Sequence, residues 1–294
     1  MEDYLHYVLA PQMLNGLALG ISVILVALGL TIIFGLLDVI NMSHGEFYAI
    51  GAFVALALSL TGLNYWLLIA VVPLLMIPLG IITERFLIRR VYDGVDRHVT
   101  TLLVTFGLAL ILEDVLKILF GPNTHRPANP LPGATDLLGI IIPTYRLFLI
   151  GIGTVVILAV AFVVYRTRLG AIVRAAAFDR NMAASLGVRV GWVYSGAFAF
   201  GVALAGLAGV LLAPIYSVFP TMGRDFILLA FTVVIVGGLG SIWGAVIAGI
   251  FLTQVQAISS LVISPVWADP IVFGVMVLVL MFRPQGLFGR IGHA

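Results

Sequence analysis

Five polar side chains stand within nine residues, at the border between two strongly apolar stretches: Asp38, Asn41, Ser43, His44 and Glu46, in "DVINMSHGEF". Ionisable groups near a membrane interior are costly, so they face a cavity or one another. In that setting these residue types line a gate or a substrate path, with Gly45 allowing an abrupt turn or close packing. The same residues also suit an ordinary inter-helix loop in which Asn41 or Ser43 caps the following helix, and spacing alone leaves both readings open. Hydrolytic chemistry would need Ser43 and His44 as nucleophile and base, and no orienting partner is evident besides Asp38 or Glu46.

A second constellation lies in "YRTRLGAIVRAAAFDRNMAASLGVRVGW". Residues 171–186 are good helix formers with few breakers, and Gly187 is a natural C-terminal stop. The predicted helix is too polar to span a bilayer. With Ala175, Ala176, Phe178, Met182 and Leu186 it is also too apolar to be fully solvated. It suits a lipid surface or a docked partner protein, and its many alanines, which let a partner's backbone come close, favour docking. Third, Glu113 and Lys117 stand four residues apart beside Asp114. They read as an intrahelical ion pair, with a proton or ion relay as the alternative. Asp225 reads as an acid favoured by a helix N-terminus.

Absences narrow the chemistry. The only lysine is Lys117, in "VLKIL", so the chain has no G-x-x-x-x-G-K-[ST] phosphate loop. The patterns G-x-S-x-G and H-E-x-x-H are missing, and His6, His44, His98, His125 and His293 are scattered. Without cysteine there are no disulfides, thiolate catalysis or Cys-ligated metals. A non-catalytic chain that binds no cofactor or metal is expected, and no nucleic-acid partner.

The elements that must position these groups are membrane helices. Of 294 residues 62% are hydrophobic and 10% charged, with a mean hydropathy of +1.20, whereas a soluble domain carries about 25% charged residues. Apolar segments fall at roughly 13–36, 47–61, 65–82, 100–120, 147–165, 192–215, 225–239, 241–262 and 267–282. Several exceed the ~20 residues that cross the hydrocarbon core. An all-α polytopic membrane protein of about eight or nine transmembrane helices is predicted, as one transmembrane domain over residues 1–294. Segments 47–61 and 225–239 are short and border polar or Gly-rich breaks, as discontinuous or re-entrant pieces do. The breaks in "TIIFGLLDV…GEFYAIGAF" and "TVVIVGGLGSIWGAVIAGIF" correspond loosely, a possible inverted repeat, and such paired breaks point to a transporter's midplane path. On that ground Gly237 and Gly238 join the candidate path residues.

Alternating the spans puts Arg85, Arg89, Arg90, Arg97, Arg166, Arg168, Arg174, Arg180, Arg189, Arg283 and Arg290 on one side. Only Lys117, Arg126, Arg146 and Arg224 remain elsewhere. The positive-inside rule then predicts an outside N-terminus and a cytoplasmic C-terminus. The acidic start Met1-Glu2-Asp3-Tyr4 is unlike a signal peptide, so the first apolar segment is expected to be retained. Residues 166–191 form the inner linker, and the Pro- and Gly-rich 121–146 forms the main outer loop.

The stretch "GLTIIFGLLDVINMSHGEFYAIGAF" resembles the signature of the branched-chain amino acid ABC transporter permeases, the LivH-type subunit, at Ile40, Asn41, His44, Gly45, Glu46, Gly51 and Ala52. The linker resembles that family's ATPase-coupling segment at Arg174, Ala175, Asp179, Ala183, Gly187 and Val188. "VVIVGGLGSIWGAVIAG" and "FRPQGLFG" also look like the family's. The resemblance implies one permease subunit of an importer in the bacterial inner membrane. Its partners would be a second, homologous permease, two cytoplasmic ATPases that bind ATP-Mg, and an extracytoplasmic binding protein. Asn41, His44 and Glu46 would shape an inner gate, and the linker, with Phe178 and Leu186, would dock on an ATPase. Met42-Ser43 replaces the family's usual Phe-Ala, and Phe178 stands where a polar or acidic residue is usual. The substrate therefore stays open among branched-chain or other hydrophobic amino acids and related amides or carboxylates. The competing expectation is a lone ion-coupled transporter using Asp38, Glu46 or Glu113.

Overall fold

The computed structural model describes residues 8–92, 96–137 and 139–289. The acidic start Met1-Glu2-Asp3-Tyr4 and Arg290 lie outside the described residues. Each of the nine predicted apolar segments contains a helix: α1 Ala10–Leu37, α2 His44–Leu60, α3 Tyr65–Phe86, α4 Arg97–Phe120, α5 Thr144–Arg166, α8 Val190–Tyr216, α9 Met222–Gly237, α10 Ile242–Val262 and α11 Ala268–Phe282. Between α5 and α8 lie the short α6 Arg168–Phe178 and α7 Arg180–Ser185. Six helical stretches are long and apolar enough to cross a membrane, and α2 is a shorter apolar helix. The chain is an all-α polytopic membrane protein.

The two longest helices, α1 and α8, are also the most buried. Their sequences explain it. Both are apolar all round, the pattern of a helix enclosed on every side, and α8 carries glycines where neighbours come close. A Cβ at Gly201 would stand 2.9 Å from the carbonyl oxygen of Gly29 on α1, and one at Gly209 only 2.3 Å from that of Tyr48 on α2. The small residues of α8 at Gly201 and Gly209 thus make backbone-to-backbone contacts, the usual device of helix packing in lipid.

The outer loop holds a short antiparallel hairpin that the sequence reading did not anticipate. Ala134–Leu137 pairs with Ile140–Pro143, and His125 bridges to Val218 across the chain.

Residues 171–186 correct the sequence reading, which made them one helix. Asp179 is extended (φ −149°, ψ 107°), so α6 ends at Phe178 and α7 begins at Arg180. The reason is side-chain capping. Asp179 Oδ1 accepts from the backbone N–H of Asn181 and of Met182, each at 2.9 Å, and an aspartate that caps a new helix competes with continuing the old one. The stop at Gly187 is present: its φ is +85°, and Val188 N–H donates to the Ala183 carbonyl at 3.1 Å, closing the helix as a Schellman turn.

Gly209→Val is expected to destabilise the isolated chain by roughly 1–3 kcal/mol or more through overpacking. Gly196→Ala, where an added Cβ meets nothing within 4 Å, should leave stability unchanged. Thermal unfolding in detergent measures both; equal melting temperatures for the two variants would refute the close-packing account.

Candidate functional site

The segment from Asp38 to Ser43 does not lie on the surface. α1 has 28 residues, about 42 Å of helix, and ends at Leu37. Yet Nε2 of His44, the first residue of α2, lies 3.1 Å from the carbonyl oxygen of Val26, near the middle of α1. A carbonyl only accepts, so His44 donates from Nε2. Residues 38–43 therefore run back along α1, and α2 begins halfway through the bundle. Asn41, Ser43 and His44 are completely buried and Glu46 nearly so, and Ser43 stands at the N-cap of α2 without a side-chain capping bond.

Inside apolar surroundings the freed backbone groups need protein partners. Asn41 Oδ1 accepts from Ser43 N–H at 3.1 Å and from Ser43 Oγ at 2.6 Å. Thr105 Oγ1, on α4, accepts from Met42 N–H at 3.1 Å and has the Ile40 carbonyl at 3.2 Å, while the carbonyl of Thr101 in its own helix is its nearer acceptor at 2.8 Å. The sequence reading missed Thr105, because a threonine in an apolar helix gives no sign of a distant partner.

α9 also begins inside the bundle. A Cβ at Gly45 would stand 2.2 Å from the Gly223 carbonyl oxygen, and a Cβ at Gly223 would stand 2.7 Å from Glu46 Oε1. The N-termini of two interrupted helices thus meet at mid-depth. This is the arrangement of discontinuous membrane helices around a transport site.

The polar residues gathered there come from three helices. Glu113 of α4 receives Lys117 Nζ at 2.7 Å and also pairs with Arg224 of α9. Lys117 reaches Asp114 at 3.2 Å as well. The expected intrahelical pair is present, and the bond to Arg224 is an addition that no sequence spacing could give. Glu113, Arg224, Lys117 and Asp225 are the charges whose fields reach Glu46. Glu46 Oε2, Tyr48 Oη and His44 Nδ1 are buried without a hydrogen-bond partner among the described residues. Rings close the cluster on one side, with Tyr48 against Phe226 (4.8 Å) and Phe226 against Tyr216 (5.3 Å).

Asp38, Gly237 and Gly238 lie apart from this cluster, towards the arginine-rich end. Asp38 adopts φ +52° at the end of α1, pairs with Arg97 and stands 3.5 Å from His98 Nε2. Gly238 (φ +101°) ends α9, whose last carbonyls receive N–H groups from the C-terminal segment: Leu287 to Val236 at 2.8 Å and Phe288 to Gly237 at 3.0 Å. The two predicted breaks touch here, since a Cβ at Gly35 would be 3.0 Å from Gly240 Cα.

At the same end the sequence reading also missed a clamp. Glu84, fully buried on α3, holds Arg89 through two bonds of 3.0 and 2.9 Å and accepts from Ser195 of α8 at 2.6 Å. Its signal was a lone acid ending the apolar run "GIITERF", five residues before an arginine.

The linker of α6 and α7 presents apolar side chains outward. Phe178, Met182 and Leu186 are 84%, 63% and 79% exposed, whereas Ala183 is buried. Arg174 reaches back to the Val164 carbonyl at the end of α5. Ala175 and Asp179 are exposed, and Val188 half-buried.

These features define a polytopic helical transport protein with a polar centre held between interrupted helices. Residues 12–281 match the family described as branched-chain amino acid transport system / permease component, and the chain belongs to that family. It is 30% identical to the high-affinity branched-chain amino acid transport system permease protein BraD of Pseudomonas aeruginosa, over 99% of this chain and 98% of the relative. It is 32% identical to the corresponding LivH protein of Escherichia coli K12, over 98% and 97%. LivM of the same organism is 27% identical over 90% of this chain and 67% of its own length. No solved structure matches.

Glu84→Ala would remove the carboxylate that Arg89 and Ser195 share, leaving each only the Gly191 carbonyl as an acceptor. A loss on the order of 3 kcal/mol is expected, read as a lower midpoint of thermal unfolding, with Glu84→Gln falling between. An unchanged midpoint would show that the clamp contributes nothing.

Proposed function

We propose that the chain is one permease subunit of an ATP-driven importer in the inner, or plasma, membrane. With a second, homologous permease it forms the path for a branched-chain or other hydrophobic amino acid, or a related amide or carboxylate. One observation carries this reading: the Arg224 side chain is 57% exposed, although its neighbour Gly223 abuts Gly45 at the middle of the bundle. A guanidinium at that depth faces water or protein rather than hydrocarbon. The open face between α4 and α9, carrying Arg224, Asp225 and Asp114 around Glu113, is therefore the path wall and the seat of the second permease. The likeness to both LivH and LivM supports a pair of homologous permeases.

The remaining roles follow. Asn41, Ser43 and His44 hold the start of α2 in place, and Glu46 is the gate residue nearest the path. Asp38, Gly237 and Gly238 hold the inner closure beneath it. The exposed Phe178, Met182 and Leu186 form an apolar knob that docks on one of two cytoplasmic ATPases, which bind ATP-Mg; this chain binds no cofactor. Arg174, Ala175, Asp179, Ala183, Gly187 and Val188 keep that knob in shape. An extracytoplasmic binding protein delivers substrate to the opposite end, beside the outer loop. The eleven arginines of the inner side support a cytoplasmic C-terminus and an outside N-terminus by the positive-inside rule. Of the carboxylates an ion-coupled transporter could use, Asp38 and Glu113 are ion-paired, which leaves Glu46 for that reading.

Purification from native membranes should bring down two ATPases and a second permease, and loaded binding protein should stimulate hydrolysis in reconstituted vesicles. A chain that purifies alone and runs on an ion gradient would refute the reading. Gly187→Pro, which cannot adopt φ +85°, should assemble but lose substrate-stimulated hydrolysis and uptake at least tenfold; Arg174→Glu should act in the same direction. Normal uptake by assembled variants would exclude the coupling role.

A further inference from the structure

Opposite the arginine-rich end, the first turns of α1, α5 and α11 and the last turns of α8 and α10 line an open cavity of about 420 Å³, with Asp269 exposed at it. Its polar lining includes Gln12, Asn15, Arg146, Tyr216, Gln256 and Asp269. Two of these are charged, and each is held by a neutral amide. Arg146 donates to Asn15 Oδ1, and Gln256 Nε2 donates to Asp269 Oδ1 at 2.6 Å. Among the described residues no ion pair joins Arg146 to Asp269 or either of them to another charge. Gln256 Oε1 is buried and has no hydrogen-bond partner among those residues.

An amide orients a charge without neutralising it. A cavity with one oriented guanidinium and one oriented carboxylate, neither compensated, complements a molecule that carries both signs. The guanidinium takes a carboxylate or phosphate in a directional, charge-assisted bond, and the carboxylate takes an ammonium. Leu149 and Ile215 add apolar wall for a hydrocarbon substituent. Tyr216 belongs to this cavity and also to the ring series that runs through Phe226 to Tyr48, so these rings stand between the cavity and the Glu46 centre.

We infer that this cavity is a binding site for a zwitterion, with its anionic group on Arg146 and its ammonium on Asp269. The chemistry is shared by a free amino acid and an aminophospholipid headgroup. The first source rests on the importer reading; the charge pattern of the cavity does not.

The purified chain in phosphatidylglycerol nanodiscs is titrated with L-leucine, and with isovalerate and isoamylamine, which each lack one charge. In parallel, nanodiscs containing phosphatidylethanolamine are examined by native mass spectrometry for retained lipid. Saturable leucine binding, about tenfold or more weaker for either single-charge analogue, assigns the site to free amino acids. Selective retention of phosphatidylethanolamine assigns it to the headgroup. In either case Arg146→Ala and Asp269→Asn should each lower binding about tenfold or more, and Arg146→Lys and Asp269→Glu should recover part of the loss. Binding of neither probe, equal binding of leucine and isovalerate, or undiminished binding by the folded neutral variants overturns the inference. ATP-driven uptake by the full complex without binding at the cavity would sink the inference alone. Cavity binding without any such uptake would sink the importer reading and leave the site.

Discussion

The structure depends on one constraint: two helices begin inside the bundle, where no water can satisfy their backbone. An unpaired N–H or C=O in hydrocarbon costs several kcal/mol, so the leads into α2 and α9 must be fully supplied by protein. The sequence meets this with short polar side chains and glycine contacts. Asn41, Ser43 and Thr105 take up the extended segment before α2. Before α9, the Val218 N–H and carbonyl pair with His125 at 2.7 and 2.8 Å, and Arg224 N–H donates to the Thr221 carbonyl at 3.1 Å. The two starts then support each other through Gly45 and Gly223, which leave no room for a Cβ. The stripe of small residues on α8 follows from the same need, since the half-length helices gain stability only by lying against a neighbour's backbone.

That arrangement decides where charge accumulates. Each helix start carries partial positive charge, and two such starts meet beside Glu46. Glu113, one helix away, is satisfied by two cations, Lys117 and Arg224, whereas Glu46 Oε2 has no partner among the described residues. The contrast separates their roles. A carboxylate held by two cations fixes the distance between α4 and α9. A buried carboxylate with a free oxygen is a group awaiting a donor, or one that accepts its desolvation cost for function.

What could be read beforehand follows from the range of each interaction. The helices were legible because apolar runs, capping residues and Gly187 act over a few positions. The meeting of Gly45 with Gly223, the stitch by Thr105, the Glu84 clamp and the Glu113–Arg224 pair all join residues far apart in sequence, and no local periodicity encodes them. The division of residues 171–186 was missed for a different reason. Propensity favoured one helix, and two capping bonds at Asp179 outweighed it. For the candidate site, the polar cluster was visible as residue types, but which members stand together was not: Asp38 shares the motif with His44 and Glu46 and still lies towards the other end of α1.

The same contacts say how an event at the arginine-rich end reaches the centre. α7 closes through Gly187 and Val188 directly into α8, with one residue, Arg189, between Val188 and the helix. α8 is 27 residues long, about 40 Å, and close-packed interiors transmit displacement rather than absorb it. Near its start Ser195 is fastened to α3 through Glu84. In its middle Gly201 and Gly209 lie against α1 and α2, and Tyr216 at its end stands in the ring cluster with Phe226 and Tyr48. On the proposed reading, an ATPase that moves the Phe178 knob acts on a rigid lever pinned at Glu84. The far end of that lever is the aromatic wall between the outer cavity and Glu46. At Gly201 and Gly209 the lever lies directly against the backbones of Gly29 and Tyr48, so a displacement of α8 is handed to α1 and α2 without slack.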